Sequence, residues 1–179
     1  MLRKRLWTAL LALMAVAWAA NAWAVTINSA TFPDAVFRAY LLDKFNVSEG
    51  TTLTDEQVSE TTEIDVAGKG IASLEGIKNF TSLTTLDCSS NALISLDMSS
   101  CSSLNTLNCS DNTLVSLEMS GCSSLHTLNC SGNALVSLDV SGCPALGILS
   151  INNSSQLLSL DVSSCSSLYT LESSGNEKM

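Results

Sequence analysis

The sequence predicts a solenoid, mainly β, with short parallel strands on both sides of each coil and a small α-helical cap on its N-terminal side. Three observations carry that expectation. One phrase, L-x-x-L-x-C-x-x-N-x-L-x-x-L, starts at Leu83 and restarts at Leu104, Leu125, Leu146 and Leu168, at spacings of 21, 21, 21 and 22 residues. A fixed period of this size is the signature of stacked coils, because one repeat cannot bury its apolar face alone. Within the phrase Leu86 and Cys88 flank Asp87, the alternation of a half-buried strand. Each coil is also nearly twofold, Leu83, Leu86, Cys88 and Asn91 being echoed by Leu93, Leu96, Met98 and Cys101. The second half is poor in helix formers, so it too reads as a strand, and two parallel sheets are expected back to back on a thin core.

In chain order, residues 1–24 read as a signal peptide. Arg3, Lys4 and Arg5 precede an apolar run from Leu6 to Ala20, and Ala22-Trp23-Ala24 has the small-x-small form of a cleavage site. The competing expectation is an uncleaved anchor, since Leu6 to Val25 approaches spanning length. Loss of the leader's three basic residues would take the net charge from −9 to −12. No Lys or Arg lies between residues 79 and 177. Nucleic-acid binding, which needs cations against phosphate, is therefore excluded as a function class, and anionic membrane surfaces are disfavoured.

Residues 25–63 read as the helical cap. Pro33 and Asp34 suit a helix start, Phe37, Tyr40, Leu41 and Phe45 recur at helical spacing, and Thr54-Asp55-Glu56-Gln57 has the form of a capping box. The loop from Asn46 to Gln57 resembles a degenerate EF-hand calcium loop. Asn46, Ser48 and Gly50 stand where acids are usual and Gln57 replaces the bidentate Glu, so no metal is expected there.

Residues 64–179 read as the solenoid, about five coils, beginning with an atypical coil in which Ile64 and Val66 take the strand positions. The phrase L-x-x-L-x-C-x-x-N resembles a leucine-rich repeat with Cys for its third Leu, and Ser73-Leu74-Glu75-Gly76-Ile77 resembles internalin-type repeats. The resemblance, to the bacterial secreted class with 21-residue repeats related to the internalin-like proteins, covers roughly residues 64–177. It implies a parallel-stranded horseshoe or rod that binds partners by surface contact. No capping element follows Leu168 and Leu171, so the C-terminal end is expected to be uncapped. The chain is then expected to be part of a longer protein, or to fray there, or to pair end to end with a second copy.

Two sets of repeated residues read as structural. Asn91, Asn112, Asn133 and Asn176 form a ladder, each able to bond turn backbone in its own and an adjacent coil. The seven cysteines form two ladders, Cys88, Cys109 and Cys130, and Cys101, Cys122, Cys143 and Cys165. Their spacing fits no zinc module. Buried small thiols are the leading expectation, with some disulfides the alternative in an exported protein. His126 is the lone His, with no triad around it, so no catalytic residue, cofactor or metal is assigned. Asp97, Glu118, Asp139 and Asp161 make an acidic ladder that reads as a solvated face.

The outward residues of the first strand of each coil form the candidate binding face. Thr85, Thr106, Thr127, Ile148 and Thr170 make one column, and Asp87, Asn108, Asn129, Ser150 and Glu172 the next. Ser89, Ser110, Ser131, Asn152 and Ser174 make the third, with Tyr169 the nearby aromatic. By the resemblance, this is where ligand contacts lie. The expected function is an exported, non-enzymatic module at the cell surface or in the periplasm, binding an extracellular protein or glycan. The alternative is a structural spacer in a longer surface protein.

Overall fold

A computed structural model describes residues 25–178. The leader reading and its cleavage site lie outside these residues. Helix α1 spans Ala35–Phe45 and helix α2 Asp55–Ser59. Asp34 is the N-cap of α1, so the helix starts after Pro33 and not with Pro33 in its first turn as its sequence neighbourhood suggests. The Asp34 carboxylate does two jobs. One oxygen accepts from the N–H groups of Val36 and Phe37, and the other from those of Ala72 and Ser73 in the first coil. Burial pushes the Asp34 carboxyl up, but these four donors outweigh it and hold it below its ordinary value. Phe32 stacks on Phe80 and meets Phe37 edge-on, so an aromatic cluster seals the cap to the solenoid.

Gln57 and Thr54 form the capping box that opens α2. The Gln57 side-chain oxygen, at the twelfth position of the EF-hand-like loop, thus accepts from the Thr54 N–H. Elsewhere in that loop Glu49 pairs with Arg38 at 3.1 Å, and Thr52 bridges antiparallel to Thr26.

Ten three-residue strands follow. The first strands of the coils are β1 Glu63–Asp65, β2 Thr85–Asp87, β4 Thr106–Asn108, β6 Thr127–Asn129, β8 Ile148–Ser150 and β10 Thr170–Glu172. They build one parallel six-stranded sheet in the order β1-β2-β4-β6-β8-β10. The second strands are β3 Ser95–Asp97, β5 Ser116–Glu118, β7 Ser137–Asp139 and β9 Ser159–Asp161. Here the expectation of a continuous second sheet needs correction: β3 pairs with β5 and β7 with β9, but β5 does not pair with β7. With three residues per strand, loss of one or two bonds between coils ends the ladder. The bond from Met98 N–H to Glu118 O, repeated from Val140 N–H to Asp161 O, has no counterpart between Met119 and Asp139.

The core is one continuous cluster of side chains between the two sides. Leu83, Leu86, Leu93, Leu96 and Met98 and their repeats in the next two coils are buried. The first cysteine ladder continues Val66 and precedes Ile151, so its thiols occupy apolar positions of the same column. Phe80 fills in the first coil the place that Cys101 fills in the second. Burial loosens in the last coil, where Leu160, Val162 and Leu168 are half-buried and Leu171 is exposed.

The asparagine ladder sets the sharp turn after each first strand. Asn112 accepts from the Leu93 N–H and donates to the carbonyls of Cys88, Cys109 and Ser110 at 3.0–3.1 Å. Asn133 repeats the set one coil on. The residue before each ladder position has a positive φ: Gly68, Ser90, Asp111, Gly132, Asn153 and Gly175. That conformation favours Gly, Asn and Asp, which the column supplies at five of its six positions.

One rung is missing. Ser154 stands where the ladder would place an asparagine, and its buried hydroxyl has no partner. The Leu135 N–H, which would donate to an asparagine there as Leu93 and Leu114 do to Asn112 and Asn133, does not donate to Ser154. Ser154→Asn is therefore expected to raise stability by about 1–2 kcal/mol, measured by urea unfolding. No gain would mean that the extra residue in the coil-four loop has moved position 154 out of register.

Candidate binding face

The six-stranded sheet brings the predicted columns into register. Thr85, Thr106, Thr127, Ile148 and Thr170 are paired neighbours along it, as are Asp87, Asn108, Asn129, Ser150 and Glu172. Most of these side chains are half-buried, held by each other and by the backbone. The Asp87 carboxylate accepts from the Ser89 N–H at 2.9 Å, from its hydroxyl at 2.6 Å, and from the Asn108 amide at 3.1 Å. Burial alone would raise the Asp87 carboxyl. The donors from Ser89 and Asn108 more than offset it, and the group sits below its ordinary value. Asn108 accepts in turn from the Ser110 hydroxyl, and Asn129 from the Ser131 N–H. Glu172 accepts from the Ser150 hydroxyl at 2.8 Å. The serine column thus closes turns while its neighbours present amides and carboxylates.

Immediately before the threonine column stands another: Thr84, Asn105, His126, Gly147 and Tyr169. His126 and Tyr169 are two coils apart, yet the tyrosine hydroxyl lies 3.4 Å from His126 Nε2 and the ring centroids are 6.0 Å apart. They meet because Gly147 lies between them; a Cβ there would run into both rings. His126 Nδ1 lies 3.3 Å from the Ala145 carbonyl, which assigns that nitrogen the proton and leaves Nε2 to accept from the tyrosine. Tyr169 is 68% exposed, an aromatic at the edge of an otherwise polar face. The sequence places Tyr169 near this face, but not its partnership with His126. The signal was the glycine in their shared column.

The acidic ladder has a local cause. Asp97, Asp139 and Asp161 each accept from the N–H two residues on, in Ser99, Ser141 and Ser163. They are turn-makers at the ends of the second strands. The Ser99 hydroxyl and the Lys78 ammonium, 2.9 Å away, take the Asp97 carboxyl down to about 2. Asp139 and Asp161 are lowered by their serines.

All seven cysteines are buried free thiols. In the second ladder the thiols of Cys122, Cys143 and Cys165 donate to the carbonyls of Met98, Met119 and Val140 in the preceding coil. Among the described residues no three His, Cys, Asp or Glu converge as a metal site.

A further column is absent from the sequence reading. Ile94, Val115, Val136 and Leu158 are 51–60% exposed, each directly after a buried leucine. The signal was there, an apolar residue recurring with the repeat at a position the core does not use.

No family model matches the chain. Over 68 residues it is 34% identical to Internalin J of Listeria monocytogenes serotype 4b (strain F2365), a match covering 38% of this chain and 7% of that protein. Among solved structures, the functional domain of InlJ from Listeria monocytogenes, which includes a cysteine ladder, superposes with a TM-score of 0.69 at 28% identity. That match covers 85% of this chain and 38% of the other. An internalin (inlF) from Listeria monocytogenes str. 4b F2365 shares the fold, with a TM-score of 0.62 at 20% identity over 84% of this chain and 53% of that one.

Proposed function

Since this chain is an internalin-like leucine-rich-repeat solenoid, we propose that it is a non-enzymatic binding module whose six-stranded face engages a protein or glycan outside the cell. The supporting observation is the register of that sheet. Across five paired strands it fixes hydroxyls, amides and carboxylates in columns about 4.8 Å apart, many already tethered by neighbours. Side chains ordered before binding lose little conformational freedom on contact. The leader reading adds the exported setting. The exposed Tyr169, braced by His126, supplies the kind of anchor that interfaces favour.

The test is a screen of the purified chain on glycan arrays and on panels of extracellular proteins, followed by titration of each hit. The double variant Thr106→Arg, Thr127→Arg changes the face without touching the core. Affinity is expected to drop at least about tenfold in that variant. Hits that bind the variant as well as the parent would place the contact elsewhere. A chain with no saturable ligand at all would favour the spacer role.

A further inference from the structure

We propose that the side of the solenoid opposite the six-stranded sheet carries a second docking surface, a ridge fitted to a cationic amphipathic helix of a partner protein. Ile94, Val115, Val136 and Leu158 form the ridge. Single exposed aliphatic residues are ordinary, but a contiguous row across four coils is not. The backbone fixes the row in two pairs, the Val115 N–H bonding the Ile94 carbonyl and the Leu158 N–H that of Val136, both at 2.9 Å, and the Ala134 N–H bonds the Leu114 carbonyl across the step between the pairs at 3.0 Å. The buried leucines beside them face the core, and more than half of each ridge side chain is left uncovered by the chain itself.

The ridge runs beside the acidic ladder. Val115, Glu118 and Asp139 line one cleft of about 220 Å³, at the place where β5 and β7 fail to pair. Asp97 has its cation in Lys78, whereas Glu118, Asp139 and Asp161 have none among the described residues. The serines that follow Asp139 and Asp161 hold both carboxyls below their ordinary values, so these two acids are charged at neutral pH. With no Lys or Arg between residues 79 and 177, nothing in these coils neutralises the row. A second copy of the chain would bring its own acidic row against this one, and like charges oppose that pairing. A partner with basic residues alongside an apolar stripe meets both features.

The spacing selects a helix. Coils repeat at about 4.8 Å, and a helix turn rises 5.4 Å, so residues one turn apart stay close to successive ridge positions over four coils. Same-face residues of a strand are separated by about 6.6 Å and fall out of step sooner. A helix lying along the solenoid axis would set apolar residues at i, i+4, i+7 and i+11 against the ridge, and Lys or Arg on the adjoining flank against Glu118, Asp139 and Asp161.

The probe is a fluorescein-labelled, fourteen-residue Leu/Lys amphipathic peptide, with a Leu/Glu peptide of the same pattern as its counterpart. Fluorescence anisotropy with the purified chain should give saturable binding of the first and none of the second. Affinity should fall about tenfold or more between low and high salt, because the charges involved are exposed. The Val115→Ser, Val136→Ser variant should weaken binding at least about tenfold while melting with the parent. The Glu118→Gln, Asp139→Asn variant should flatten the salt dependence. Thr106→Gln, Thr127→Gln on the opposite face, which leaves the net charge as it is, should change nothing, which separates this surface from the one proposed above. Equal binding by the ridge variant would reduce the effect to bulk charge and overturn the proposal. So would a concentration-dependent dimer that the ridge variant abolishes, since the occupant would then be a second copy.

Discussion

Asn112→Ala is expected to lower the unfolding free energy by about 4 kcal/mol, the largest single-residue effect outside the leucine core. The side chain is 7% exposed and makes four bonds to backbone in two coils. Its removal orphans the Leu93 N–H inside the solenoid and takes a donor from three carbonyls. An unmade buried bond costs more than a made one contributes, because the group has already lost its water. Asn112→Asp separates hydrogen bonding from volume. Its shape is the same, but a carboxylate has no donor for three carbonyl oxygens and would face them with like charge. It is expected to be at least as damaging as alanine by urea unfolding. Asn176→Ala, in the half-buried last rung with two bonds, is expected to cost about 1–2 kcal/mol. An aspartate at 112 tolerated within about 1 kcal/mol would show that the ladder fills space and does not hold the turns.

Steep unfolding in mild alkali is the second large effect expected. Burial pushes the Cys88 and Cys130 thiols up from an ordinary 9.0 to about 12, and Cys109 well above 9.0. The folded chain therefore keeps protons that the unfolded chain has released. Below pH 9 both states are protonated and these groups give no pH dependence. Above it stability falls as pH rises, until the folded-state values are reached. Each such thiol removes about 1.4 kcal/mol per pH unit in that window, and the three together about 4 kcal/mol per unit. A domain of ordinary stability, roughly 5–15 kcal/mol, would not survive far above pH 10. Unfolding followed by circular dichroism against pH should show this slope. The triple variant Cys88→Ala, Cys109→Ala, Cys130→Ala should start less stable and lose about half of the slope, because burial also pushes up the Cys101, Cys122 and Cys143 thiols, to about 11, 12 and 11. The same burial makes the native Cys88 and Cys130 thiols at pH 8 react about a thousandfold slower with alkylating reagents than those of the unfolded chain. An alkaline transition identical in the triple variant would move its cause to other groups.

The repeat made most of the architecture legible. A 21-residue period with Leu, Cys and Asn in fixed places allows one kind of coil, since every coil must bury the same positions against the next. The candidate face followed from the same register, because residues equivalent in the phrase must pair across coils. Thr54 and Gln57 announced their helix start through side chains that bond locally, which is why that reading needed no tertiary information.

What the sequence determined by itself was therefore whatever repeats or acts locally: the coil, the six-stranded face, the asparagine and cysteine columns, and the capping box. Only the tertiary structure decided what depends on departures from the repeat. It put both Asp34 oxygens to work between helix and first coil, opened the second side between β5 and β7, and left Ser154 without its bonds. It brought His126 to Tyr169 over Gly147, and set a row of aliphatic side chains outside a core that had no room for them. The reason is physical. A periodic pattern specifies contacts between equivalent residues. A contact between unlike residues in different coils depends on angstrom-scale offsets of the backbone, and no spacing in the sequence records those.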